Sequence, residues 1–252
     1  MSSHSHEPTS WTYQPTLAEL NFGGLAARVN TAKPQLGLHE IAVQSQFMPG
    51  SLLSLSSGST AAWPAALADA YVRGGDLVST YSPASDWPYA PSIYWRAELP
   101  ESTNGALAAI SLLVSIQTNL LDTHPLVCAA SQLPADEVLQ LTASRSGKLA
   151  VAPVNGNQAI HSASSPSGLL WRLPGGQLSY VELAEPNDFR QLAIEQDNGI
   201  CRAEWELFAE FLEKGVIRRA QIHAAFLPRQ RDVELATSLC RGLDSRPLPL
   251  TA

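Results

Sequence analysis

The stretch SDWPYAPSIYWR sets Trp87, Tyr89, Tyr94 and Arg96 close together in a proline-rich segment that leads into an extended run. Flat aromatic faces beside charged groups suit a sugar-binding surface, because ring faces stack on sugar C–H groups while charged and polar groups bond the hydroxyls. The same residues also suit a structural role, with Trp87 covering a sheet edge and Tyr94 packing across strands. These four are the ligand-binding candidates, for a carbohydrate or another polar organic ligand.

Acid and base chemistry has its own candidates. SYVELAEPNDF carries Glu182, Glu185 and Asp188, with Glu182 read as a strand residue among solvent-facing neighbours and the rest as a polar turn. DTHP places Asp122 two residues before His124, where a carboxylate can orient an imidazole, although a turn built on Asp and Pro explains it equally. An epimerase or hydrolase acting on carbohydrate needs an acid and a base converging on one pocket, and His124, His161 and Glu182 are the candidates for those roles. Arg218 and Arg219 form a basic pair suited to an anion or to an exposed strand.

Other signatures are missing. No GxGxxG follows a strand, and GxxxxGK[ST], HExxH and GxSxG do not occur. The six histidines show no metal-ligand spacing, so neither a metal nor a cofactor is expected. His4 and His6 fall in a polar leader without core-forming residues, which reads as a flexible tail.

The elements that must position these groups are mostly strands. In SIYWRAEL, Ile93, Trp95, Ala97 and Leu99 share one face and Tyr94, Arg96 and Glu98 the other. ALAAISLLVSIQTNLL is apolar on both faces, which suits a central strand or a buried helix. Further strands are read in LHEIAVQSQ, SLLSLS, LVCAAS, EVLQLTA, KLAVAPV, LLWRL, QLSYVEL, RQLAIEQ and VIRRAQIHAAFL, punctuated by proline and glycine. Two short helices are expected near the C-terminus. One is EWELFAEFLEKG, with Trp205, Phe208 and Leu212 on one face, and the other is VELATSLCRGL behind an Asp232 N-cap.

Paired glycines occur twice, in YVRGGDLVSTY and WRLPGGQLSYV, and both read as two-residue hairpin turns of the primed type. Gly74 and Gly175 are 101 positions apart, the two RAE segments beginning at Arg96 and Arg202 are 106 apart, and Gly105 and Gly215 are 110 apart. Leu52 and Val138, which begin LLSLS and VLQLT, are 86 apart. The rising offsets suggest an internal duplication with loop insertions, although any two β sequences share alternation and glycine turns. The expected fold is therefore mainly β, a large antiparallel β-sandwich of two related β modules packed together. Residues 1–37 form a partly flexible leader with one possible first strand, residues 38–123 the first module, and residues 124–252 the second module with its helices.

The 252 residues are 45% hydrophobic, enough to bury a substantial core, and a net charge of −7 gives no attraction to nucleic acid or anionic membrane. Three cysteines without CxxC spacing read as buried free thiols. With no export signal and no apolar run of transmembrane length, a soluble cytoplasmic protein is expected. It is either a non-catalytic binding or structural protein or an enzyme of the carbohydrate-active kind.

Overall fold

The computed structural model describes residues 11–58, 62–98, 105–143, 149–162, 167–208 and 210–243, and its strands form two antiparallel sheets. The first sheet runs, in spatial order, β1 (Trp11–Gln14), β2 (Leu17–Phe22), β3 (Leu25–Asn30), β4 (Leu38–Val43), β6 (Ser51–Ser56), β11 (Val127–Pro134), β18 (Ile200–Phe208), β17 (Gln191–Asp197) and β14 (Gln158–His161). A short β5 (Gln46–Met48) pairs with β4 outside that path. The second runs β13 (Leu149–Pro153), β12 (Glu137–Ala143), β15 (Ser167–Arg172), β16 (Leu178–Ala184), β19 (Ile217–Pro228), β10 (Ala108–Thr118), β9 (Tyr89–Glu98), β8 (Asp76–Ser82) and β7 (Ala66–Arg73).

The sheets stack as a sandwich because their strands alternate in phase. On β9, Ile93 and Trp95 are buried in the main core while Arg96 is exposed. On β10, Ile110, Leu112, Val114 and Ile116 enter the same core from the centre of the second sheet. The opposite face of β10 carries Ala109, which joins a smaller apolar cluster under α1 (Asp232–Leu243). Leu235, Ala236, Leu239 and Leu243 of that helix pack on Leu170, Val181, Leu183 and Ala225, so the two-sided apolarity of the central strands has a cause on each face.

Both sheets draw strands from either side of residue 123. In the first, β6 pairs with β11, and in the second, β10 pairs with β19. The offset of 110 thus sets two paired strands against each other. By contrast the two RAE copies lie on β9 and β18, in different sheets, and the offset of 86 relates β6 of one sheet to β12 of the other.

Several sequence expectations need correction. EWELFAEFLEKG is not a helix: Trp205 and Phe208 belong to β18, where Cys201, Ala203, Trp205 and Leu207 alternate into the core and Glu204 and Glu206 face away. The ladder slips between Val127 and Cys128, opposite the end of β18, so Phe208 is buried out of phase and mimics a helical spacing. Asp232 has helical backbone angles (φ −57°, ψ −46°) and is not a preceding cap. Its carboxylate takes Val233 N–H at 2.7 Å, but also Arg172 at 3.0 Å, Arg229 at 2.9 Å and Ser179 Oγ at 2.8 Å, so it pins the helix to the sheet.

Gly74 lies in a two-residue turn closed by the Arg73–Asp76 pair, with φ +58° as a primed hairpin requires. Gly175 and Gly176 also have positive φ, +88° and +70°, but they sit in a wider loop between Arg172 and Leu178. Three strands, β1 to β3, occupy Trp11–Asn30, where one was expected. His4 and His6 lie outside the described residues. Cys128, Cys201 and Cys240 are buried, and none of them is in a disulfide, as expected. Among the described residues no helix is long and apolar enough to cross a membrane.

Candidate functional site

Strand parity separates the four ligand-binding candidates. Trp87 and Tyr89 are 8% and 7% exposed, and their rings meet with centroids 5.1 Å apart, with Trp63 5.3 Å from Trp87 and Tyr81 behind it. Their faces are occupied by one another and by the core. Tyr94 and Arg96 have the opposite parity on β9 and stand on the outer face of the second sheet. There Arg96 grips Asp76 through two bonds of 2.7 and 2.8 Å. The four residues do not converge on one surface.

Glu182 is fully buried, not set among solvent-facing neighbours, because every residue of β16 is covered, by the core on one face and by α1 and its cluster on the other. Its Oε1 accepts bonds from Ser131 Oγ and from Tyr180 Oη (2.8 Å), and its Oε2 accepts one from Trp205 Nε1 (2.6 Å). Burial raises its pKa, and these three bonds oppose that rise. His124 is remote from this arrangement in kind: its side chain is 65% exposed, its ring lies 5.8 Å from that of Phe211, and Nδ1 is 4.0 Å from Asp122. His161 ends β14 and is exposed. The expected partnership of an imidazole with Glu182 is not made.

An open cleft of roughly 1040 Å³ lies where three strand ends and one connection meet: the end of β14 at His161, the end of β18, the start of β19 and the 185–190 crossing between the sheets. Typical small-molecule sites are about 300–1,000 Å³, so this space accepts a ligand of the larger class. The crossing is held firmly. Ser162 N–H bonds Arg190 O at 2.8 Å, Arg190 N–H bonds Glu206 O at 2.7 Å, and Ser162 Oγ bonds Pro186 O at 2.5 Å. Phe189, 3% exposed, anchors it edge-on against Trp205 with centroids 4.9 Å apart.

Polar groups converge on this cleft. Arg190, Arg218, Arg219, Glu210, His161 and Asp188 form the polar wall; Arg218 pairs with Glu210, and Arg190 reaches out of the lining to Glu206 of β18 at 3.3 Å. Asp188 is half-buried, and burial pushes its carboxyl from an ordinary 3.8 up to about 7; Glu185 adds to the rise and a bond from the Gln221 backbone opposes it. The sequence singled out His161, Asp188, Arg218 and Arg219 separately, but no periodicity joins them. Arg190, Glu206 and Glu210 escaped notice because each reads as an ordinary exposed charge.

A second polar group was also missed. His223 on β19 lies 3.3 Å from Glu98 on β9, both nearly enclosed, on the outer face of the second sheet beside α1. The groove there holds about 10 Å³, room for little more than a water molecule, so it is no rival to the cleft. Among the described residues no group of three or more His, Cys, Asp or Glu stands ready to hold a metal.

No protein-family profile matches the sequence, and no curated protein is similar to it. Solved structures share the fold. A candidate aldose 1-epimerase from Klebsiella pneumoniae superposes with a TM-score of 0.51 at 7% identity, over 94% of this chain and 87% of that one. A galactose mutarotase related enzyme from Lactobacillus acidophilus superposes with a TM-score of 0.52 at 6% identity, over 82% of this chain and 96% of that one. The two-sheet antiparallel sandwich is thus the fold that these two structures share.

Proposed function

We propose that the cleft binds a carbohydrate or a closely related polar organic ligand. The observation that carries the reading is the pairing of two guanidinium groups that line the cleft: Arg218 with Glu210 of the same wall, and Arg190 with Glu206 of the adjoining β18, outside the lining. Paired guanidinium and carboxylate groups offer fixed donors beside fixed acceptors with little net charge, which matches vicinal hydroxyls better than it matches an anion. The fold shared with two proteins named for sugar chemistry supports the same class by analogy. The buried thiols of Cys128 and Cys201, outside any disulfide, support a reducing compartment such as the cytoplasm.

Calorimetric titration with mono- and disaccharides tests the reading. Arg190→Ala and Arg218→Ala are expected to weaken binding tenfold or more while melting is nearly unchanged, since both pairs are solvent-exposed and contribute about 0–1 kcal/mol to stability. Saccharide binding that survives both changes, or no saccharide binding at all, would overturn it.

A second reading, an epimerase- or hydrolase-type enzyme, is favoured by one observation: Asp188, poised near neutrality, shares the cleft with His161. It differs from pure binding in one outcome. Polarimetry of freshly dissolved α-glucose and α-galactose, together with hydrolysis of nitrophenyl glycosides, is expected to show catalysis that Asp188→Asn removes without abolishing binding.

A further inference from the structure

We infer that the ligand of this cleft is an amphiphilic glycoside, whose sugar enters the cleft and whose apolar aglycone lies on a rim built by two joined loops. The inference rests on the carbohydrate reading above and names the class of sugar compound. The loop after β10 and the loop before β19 are bonded to each other. Leu212 N–H meets Thr123 O at 2.8 Å, Thr123 Oγ1 meets Leu212 O at 2.8 Å, and Gly215 N–H meets Thr118 O at 3.3 Å. Thr123 and Leu212 are the buried side of this joint.

Its outer side is apolar. Leu120, Leu121, Phe211, Val216 and Ile217 are 48%, 78%, 48%, 42% and 51% exposed, five of the ten exposed large hydrophobic side chains among the described residues. Scattered apolar side chains on a surface are ordinary, but four of them on one joined pair of loops, with a fifth, Ile217, at the start of β19, mark a contact surface. Ile217 also lines the cleft, and Arg218 follows it in the same wall, so the apolar rim passes into the polar cleft without an intervening element. One molecule spanning both must be polar at one end and apolar at the other. An anionic lipid surface fits less well, because Asp122 and Glu210, with side chains 78% and 70% exposed, stand on the same two loops.

The test is a titration with methyl, hexyl and octyl glycosides of glucose and of galactose, below their micellar concentrations, and with octyl sulfate as a tail without sugar. The protein is compared with the double variant Leu121→Ser, Phe211→Ser, whose changes fall on exposed positions and leave the core intact. Each methylene that is well covered is expected to tighten binding about fourfold, so octyl should exceed methyl by at least tenfold even if the chain is only partly covered. The double variant should reduce that ratio to about threefold while binding methyl glycosides unchanged.

Methyl and octyl glycosides binding alike would overturn the inference and leave the carbohydrate reading standing. Octyl sulfate binding as tightly as octyl glycoside would overturn it in favour of a bare apolar patch. If sedimentation shows a dimer that the double variant dissociates, and no chain-length dependence, the rim is covered by a second copy and the inference fails. Failure of every glycoside to bind removes both readings together.

Discussion

Glu182 and Asp188 are six positions apart in the chain, and burial raises the pKa of both, yet they differ in what surrounds them. Glu182 is sealed between the sheets and held by three donors. Asp188 sits in the crossing beyond the end of β16, beside Glu185, on the wall of an open cleft. A raised carboxyl alone therefore does not mark a site; access to a ligand separates the two. What Glu182 does instead can be traced through its partners. Leu53 adopts φ +54°, and the β6–β11 ladder is irregular between Ala130 and Gln132. Ser131 Oγ accepts a hydrogen bond from the Leu53 N–H at 2.8 Å and donates one through its own hydroxyl to Glu182. One side chain thus satisfies a backbone donor at an irregular position and ties the two sheets together.

If the sealed interior belongs to both halves of the chain, the largest disruption comes from separating them. A fragment ending at Thr123 loses β11 from the edge of β6 and β19 from the edge of β10, and with them much of the apolar cover of both sheets. It is expected to be insoluble or to lack cooperative unfolding by circular dichroism. A soluble fragment with a sharp melting transition would show that the first half folds alone. Within the whole protein, Glu182→Leu should cost about 3 kcal/mol or more, because Ser131, Tyr180 and Trp205 would each keep a buried donor without an acceptor. Asp188→Asn, on the cleft wall, should cost nothing by urea unfolding at pH 7 and should instead stabilise the fold, because it removes a carboxylate whose ionisation burial opposes. Equal costs would erase the distinction between the two carboxylates.

Parity explains how much of this was legible in the sequence. In-phase alternation announced β9 and β19 directly, whereas the two-sided apolarity of β10 left a strand and a buried helix both open until the structure showed a strand. Alternation also contained the separation of Tyr89 from Tyr94 and Arg96, since odd positions of β9 face inward and even ones outward. Glu182 has the parity of Tyr180 and Ala184, both core residues, and that was a readable sign of its burial. The three donors that make its burial tolerable come partly from Ser131 and Trp205, strands away in the chain, and no local pattern shows them. The supposed helix at EWELFAEFLEKG failed for a related reason. A ladder irregularity buried Phe208 out of phase, and the strand then matched a helical spacing as well as its own. The cleft is the least legible part, because four segments meet there only after the chain has crossed between the sheets.

The finest contrast between the two carboxylates is in their response to pH. Asp188 has an ordinary value of 3.8 when unfolded and about 7 when folded, chiefly through burial. Between those values the folded protein keeps a proton that the unfolded chain has lost, so unfolding releases it and stability falls as pH rises from about 4 to about 7. Below about pH 4 both states are protonated and the group has no effect; above about 7 the penalty is fully developed. Asn at this position is neutral throughout and should escape the penalty. The melting temperature of Asp188→Asn relative to the unaltered protein should therefore climb across pH 4 to 7 and level off above it, by about 3 °C or more, given roughly 2–4 °C for each kcal/mol in a chain of this size. Glu182→Gln cannot copy that behaviour, because its amide would point donors at donors and cost stability at every pH. Melting curves for Asp188→Asn that run parallel to those of the unaltered protein from pH 4 to 8 would mean that Asp188 is as freely ionised as any surface carboxylate, and would remove it as the cleft's acid or base.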